Sequence, residues 1–177
     1  MIRKKKLFSR PKKAFQKTRI EEENVLLKSY GLKNKREVWK SLAKINYYRT
    51  RAKALTKSAP EEQEVFLGKL RALGLKTNTL SDVLALQIED LLKRRLPTVV
   101  AAKKLAHTVQ QARQMVVHRK ILISGNVVTI PGYIVSLAEE DKITSTQKLV
   151  TPKPAEKSEK VEESESIESS EVVEEAK

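Results

Sequence analysis

The chain contains no cysteine, which excludes disulfides, thiolate zinc sites and thiol nucleophiles. Its two histidines, His107 and His118, are too few for an all-histidine metal site. Acidic side chains are scarce, with 22 Asp and Glu against 36 Lys and Arg, a formal net charge of +14. Long apolar runs are absent too. After IRKKK only Leu7-Phe8 is apolar before Ser9-Arg10-Pro11, which is no signal-peptide core, and no run approaches the length of a membrane span. A soluble, intracellular protein that engages no membrane is expected.

The charge is unevenly spread. Residues 151–177 hold 4 Lys and 9 Glu, a net of −5, so the first 150 residues carry 32 basic against 13 acidic side chains, a net of +19. Charge that dense on a small folded body calls for a polyanionic partner, and nucleic acid is the leading candidate. Residues 1–19 hold nine Lys and Arg and no acid. They resemble a mitochondrial presequence in composition, but no amphipathic pattern survives across Pro11, so a flexible nucleic-acid-binding arm that includes Lys4, Lys5, Lys6, Lys12 and Lys13 is the better reading. The segment from Thr151 onward is rich in Glu and Ser with almost no large apolar residue, which predicts a disordered acidic tail. Between the two, 177 residues at 40% hydrophobic suffice for one ordinary domain or two small ones.

Helix signals dominate the first half. Thr18 with Glu21 has capping-box spacing, and Gly31 suits a C-cap, which predicts a helix over 19–30. Asn34 and Glu37 repeat the pattern ahead of an apolar stripe of Val38, Leu42, Ile45, Ala52 and Leu55 running to about Lys57. The opposite face is basic, with Lys40, Lys44, Arg49, Arg51 and Lys53, of which Arg49 and Arg51 are candidate RNA contacts. Pro60 opens a third helix with Phe66, Leu70 and Leu73, which Gly74 stops, and Thr79 with Asp82 opens a short fourth. Pro97 fits the first turn of a further helix whose buried side is Leu96, Val99, Val100 and Leu105; Thr108 and Gln111 cap the next.

The stretch QARQMVVHRKILISGNVV, residues 111–128, changes period without a pause. Ala112, Met115 and Val116 recur at helical spacing, whereas the residues flanking Gly125-Asn126 read as a β-hairpin. Pro131-Gly132 then bends the chain into a third short strand, Tyr133-Ile134-Val135. At the junction His118, Arg119 and Lys120 gather beside Arg113 and Gln114, and Arg94-Arg95 stand at the entry, a set of donors suited to phosphates. Arg113 and Lys120 are expected to point outward. Other residues have plainer readings: His107 as a turn residue before a cap, His118 against the last helix carbonyls, Tyr47-Tyr48 and Trp39 as packing more than base stacking, and Glu139-Glu140-Asp141 as a solvated turn.

The segment RRLPTVVAAKKLAHTVQQARQMVVHRKILISGNVVTIPGYIV closely resembles the αL RNA-binding motif. RIEEENVLLKSYGLKNKREVWKSLAKI, ALGLKTNTLSDVLALQIEDLLKRRL and EEDKI resemble the rest of the ribosomal protein S-four family in its archaeal form, so that the likeness spans about residues 19–143. It implies an α+β fold: a helical rRNA-binding domain over 20–92, completed by 138–150, and an αL domain over 93–137 of two short helices packed on a small antiparallel sheet. It implies a structural constituent of the small ribosomal subunit in the cytoplasm, bound early in assembly to a junction of rRNA helices in the 5′ domain. Proteins of the S-five and S-three families would be its neighbours near the mRNA entry channel, with neither cofactor nor homo-oligomer.

Matched position by position, the family's RNA contacts fall on Arg94, Arg95, Arg113, Gln114, His118 and Lys120. Lys104 and Arg119 stand where the motif often has Gly, adding charge at two positions that are uncomfortable for a side chain if φ there is positive. Because the αL motif also decorates RNA-modifying enzymes, a tyrosyl-tRNA synthetase and stress factors, a fragment of such a protein is the alternative. An enzyme needs a catalytic domain, and outside the arm and tail nothing remains to supply one. A DNA-binding helix-turn-helix over 97–118 is a weaker reading, which duplex DNA and junction RNA would tell apart.

Overall fold

The computed structural model describes residues 6–146. Lys4, Lys5 and the acidic tail lie outside the described residues, as do residues 147–150. The N-terminal half is built from α1 (Lys17–Ser29), α2 (Lys35–Leu55), α3 (Pro60–Ala72), α4 (Leu80–Ala85) and α5 (Ile88–Lys93). The second half runs α6 (Leu96–Ala102), α7 (Val109–Val117), β1 (Ile121–Ile123), β2 (Asn126–Val127), α8 (Leu137–Glu140) and β3 (Ile143–Ser145). This is the expected α+β architecture, helices first and then helices on a small sheet.

Two apolar clusters divide the work. One gathers Ile45, Tyr48, Ala52, Phe66, Leu70, Val83 and Leu91 from α2 to α5. The other gathers Leu96, Val100, Ala112, Val116, Ile121, Val135 and Ile143. Each fully buried Leu, Ile or Val contributes about 1.5–3 kcal/mol. On α2 the buried set Val38, Ser41, Ile45, Tyr48, Ala52 and Leu55 is centred near Ser41 and Ala52. At ~100° per residue Leu42 falls about a quarter-turn from that centre, and it is exposed despite its place in the apparent stripe.

The sheet is antiparallel in the order β2-β1-β3, with Leu122 opposite Val127 and Thr144. The β1–β2 turn is Ser124-Gly125, both at positive φ, and Asn126 already belongs to β2. The third strand is therefore Ile143–Ser145 and not Tyr133-Ile134-Val135. The latter segment is held instead by the start of α6: Leu96 N–H donates to Tyr133 O at 2.9 Å and Val135 N–H to Arg94 O at 2.9 Å, around a single bridge between Arg95 and Ile134. With β3 on the hairpin and Ile143 in its core, the end of the described chain packs with the second half, and residues 147–150 of the segment expected to complete the helical domain lie outside the described residues.

Capping is read correctly in the middle of the chain and incorrectly at its start. Thr79–Asp82 forms its capping box, and Thr108 Oγ1 accepts from Gln111 N–H at 3.2 Å. Helix α1, however, starts at Lys17 with Gln16 as N-cap, ahead of the Thr18–Glu21 pair. Arg19 reaches back to the carbonyls of Lys13 and Ala14 at 2.9 Å and forward to buried Glu23 at 2.7 Å, which fixes the helix start through side-chain contacts. Glu23 also accepts from Trp39 Nε1, and Phe8 lies 6.0 Å from the Trp39 ring, so the arm leans on α2. Asn34 is the N-cap of α2 but makes no side-chain cap bond; the Glu37 amide donates to the Asn34 backbone carbonyl at 3.0 Å instead.

Candidate nucleic-acid interface

Helices α1, α3, α6 and α7 stop in the same way. Beyond each, a residue at positive φ turns the chain, and the next amide returns to the carbonyl three residues inside the helix end. These bonds are Leu32 to Leu27, Leu75 to Leu70, Leu105 to Val100 and Lys120 to Met115, at 3.0–3.1 Å. This is the Schellman stop, and glycine suits its turning residue. Glycine is used where the stop meets protein. A Cβ on Gly31 would lie 3.3 Å from the backbone of Val109 and Gln110, and one on Gly74 would lie 2.7 Å from the Arg94 guanidinium. The other two stops carry cations: Lys104 at φ 57° and Arg119 at φ 61°. Both are exposed, and their side chains make no hydrogen bond or ion pair among the described residues. A side chain in this conformation costs roughly 1–2 kcal/mol relative to glycine's ease there. The positions at which the αL motif often has Gly thus do require positive φ.

Arg94, Arg95 and Arg113 are built in differently. Arg95 donates to Glu37 Oε2 at 2.7 Å, and Arg113 grips both oxygens of the same carboxylate at 3.0 and 2.7 Å. Burial alone would raise the Glu37 carboxyl, but the hydrogen bonds from Arg113 and Arg95 and their charge outweigh it and hold it at about 2. Arg94 donates to Glu140 at 2.8 Å and to Val135 O at 3.1 Å while its guanidinium lies over Gly74. These arginines join the helical half to the αL half. Arg113 therefore does not point outward as expected: the carboxylate that the sequence offers as a capping partner draws it inward. Glu139-Glu140 is likewise no solvated turn, whereas Asp141 is exposed as expected. Glu139 accepts from Tyr133 OH at 2.7 Å and caps α8, and Lys103 Nζ reaches Glu140 O and Asp141.

The remaining basic positions lie on the outside. Gln114, His118, Lys6, Lys12 and Lys13 are exposed, and Lys120 is half-buried at the head of β1. Arg49 donates to Leu86 O at 2.6 Å, and Arg51 sits over the Phe66 ring at 5.8 Å. Tyr48 is core, whereas its neighbour Tyr47 is 58% exposed. Sequence reasoning missed Glu37 as the hub of the arginine network; its capping-box spacing is shared by both roles. No helix among the described residues is long and apolar enough to cross a membrane, and no group of three or more His, Asp or Glu among them is placed to hold a metal.

Residues 94–143 match the S4 domain family. Over 172 residues the chain is 38% identical to small ribosomal subunit protein uS4 of Methanocella arvoryzae, covering 85% of this chain and 84% of that protein. The chain belongs to the uS4 family. Its identity to the uS4 protein of Methanothermobacter thermautotrophicus is 45% over 145 residues, covering 78% of this chain and 85% of that one. For Picrophilus torridus uS4 it is 42% over 149 residues, covering 79% and 81%. The domain match begins at Arg94, where the chain passes between the two cores, and ends at Ile143, inside β3. The family match thus runs past residue 137, through α8 to the first residue of β3.

Proposed function

We propose that the chain is a structural, non-catalytic constituent of the small ribosomal subunit that binds small-subunit rRNA directly and early in assembly. The observation that carries this reading is the pair of cations at the two exposed Schellman stops. Lys104 and Arg119 hold a strained backbone where glycine would relax it, and neither side chain has a partner among the described residues. Strain kept in the absence of an internal contact points to an external one. His118, Gln114 and Lys120 flank Arg119 and extend the same contact, and Lys6, Lys12 and Lys13 add the arm. Arg94, Arg95 and Arg113 act mainly by bracing the frame that presents these groups. Family membership supports a place on the cytoplasmic ribosome, with S-five- and S-three-type proteins as neighbours.

An αL-bearing enzyme fragment is disfavoured by the arrangement of acids, since Glu37, Glu139 and Glu140 are all consumed in structural bonds. The experiment is binding of the full chain to small-subunit rRNA across a salt series. With about eight phosphate contacts, log K falls with log salt at a slope of roughly −6 to −7. A slope shallower than about −2 would leave the basic surface as a solvated face.

A further inference from the structure

We propose that the cleft between α2 and the turn at residues 130–134 receives one unpaired RNA nucleotide, its base stacked on Tyr47 and its phosphate held by Lys40 and Lys44. The inference rests on the RNA-binding reading above and names a subsite apart from the αL surface. The cavity measures about 1060 Å³, just above the range of ligand-site volumes of ~300–1,000 Å³. Along α2, Glu37, Lys40, Lys44 and Tyr47 recur at helical spacing and line one wall, while Ile130 and Pro131 line the other.

Each wall group has an unspent capacity that a nucleotide would use. Tyr47 and Ile130 are 58% and 63% exposed, leaving an aromatic face and an apolar one open to a base. Lys40 and Lys44 are exposed and make no ion pair among the described residues. Among the described residues Glu37 is the one acid in the lining and is already neutralised by two arginines, so their net field in the cleft is positive. Arg95, only 7% exposed, also lines the cavity. Its Nη2 is bonded to Glu37 and Pro131 O, but its Nη1 is buried without a hydrogen-bond partner. A buried guanidinium donor lacking an acceptor is uncommon in folded proteins, and a base edge supplies acceptors. A paired base presents no open face for such stacking, whereas a bulged or looped nucleotide can be splayed out into the cleft. Charge selects RNA over a neutral protein segment, which would leave the cations of the cleft unmatched.

The test uses the full chain and two synthetic RNAs, a duplex with a single bulged 5-iodouridine and the same duplex fully paired. The wild-type protein is expected to bind the bulged RNA more tightly and, on irradiation, to crosslink at Tyr47. Tyr47→Ala should abolish that crosslink and weaken binding of the bulged RNA about tenfold, with the paired duplex changing by less than about twofold. Tyr47→Phe should restore the affinity, and Lys44→Ala should weaken the bulged RNA more than the paired one. Equal effects of Tyr47→Ala on both RNAs, or none on either, would overturn the inference. A wild type that binds paired RNA with no preference for the bulge overturns the subsite and leaves the RNA-binding function standing; failure to bind either RNA overturns both. If Tyr47→Ala binds both RNAs normally but no longer enters reconstituted small-subunit particles, the occupant is a protein and the inference fails.

Discussion

Arg113 places both terminal nitrogens on the Glu37 carboxylate across 76 residues of chain, at 3.0 and 2.7 Å, while Arg95 holds one of the same oxygens. One acid on α2 thereby fixes the last turns of α7 and the start of α6. Removing a partner from a fully buried pair costs ~3–5 kcal/mol, and from an exposed pair ~0–1 kcal/mol. With side chains about one-fifth exposed, this pair falls between the two. Arg113→Ala and Glu37→Ala should each destabilise the fold by about 2 kcal/mol, lowering the melting temperature by roughly 4–8 °C for a chain of this size. Thermal unfolding followed by circular dichroism checks this. An unchanged midpoint for Arg113→Ala would return that side chain to the surface role expected from the sequence.

The same carboxylate makes stability depend on pH. Its ordinary value of 4.5 applies in the unfolded chain, and the folded state holds it at about 2. Between those values the unfolded chain takes up a proton that the folded protein does not, so the stabilisation is complete above about pH 4.5 and is lost as pH falls toward 2. Discounted for the partial exposure of the pair, its full size is roughly 2 kcal/mol, in line with the cost of deleting the carboxylate. Glu23, Asp82 and Glu139 are also held below their usual range and act in the same direction. The Glu37 share is therefore read as a difference: urea unfolding of wild type and Glu37→Gln from pH 6 to 2.5 should show the gap between them narrowing as the acid is approached.

Two glycines in and after one helix should respond oppositely to the same methyl group. Gly68 lies inside α3 with nothing within 4 Å of a Cβ, so Gly68→Ala should stabilise by about 0.5–1 kcal/mol. Gly74 has φ +78°, and a Cβ there would strike the Arg94 guanidinium, which is pinned by Glu140 and Val135 O. Gly74→Ala should cost at least about 2 kcal/mol, the left-handed penalty plus displacement of that arginine. Denaturant midpoints of the two variants decide it; a shift of the same sign in both would mean that Arg94 yields without loss.

Much of the fold is legible from local pattern because local forces decide it. The Thr79 and Thr108 caps, the Pro60 helix start, the glycine stops and the abrupt switch of period at Lys120 all depend on residues a few positions apart. The misreadings have non-local causes. Tyr133–Val135 has strand composition, yet its backbone meets residues 94–96 at a single bridge, while Ile143-Thr144-Ser145, with one apolar side chain, takes the sheet edge because β1 is open there. The candidate site divides in the same way. A run of arginines announces affinity for anions, but whether the anion is rRNA or Glu37 depends on a carboxylate 58 or 76 residues away. The exposure of Lys104 and Arg119 was likewise hidden, although their conflict with a left-handed backbone could be read from the positions themselves.

That conflict supplies the last prediction. If Lys104 and Arg119 are kept at positive φ for their charge, glycine at either position should improve folding and impair binding together. Relief of about 1–2 kcal/mol of left-handed strain, less the ~0.5–1 kcal/mol of added chain entropy that glycine brings to the unfolded state, leaves each of Lys104→Gly and Arg119→Gly more stable by about 0.5–1 kcal/mol. Each should also remove one phosphate contact, making the slope of log K against log salt shallower by about 0.7–0.9 and weakening rRNA binding at low salt. A control at the same backbone, Arg119→Asn, tolerates the left-handed conformation while lacking the charge, so it should follow glycine in affinity more closely than in stability. Paired melting and salt-titration measurements on the three variants check this. Gains in stability with unchanged salt slopes would show that the cations at these helix stops do not reach RNA, and the case for the αL surface would then rest on His118, Gln114 and Lys120.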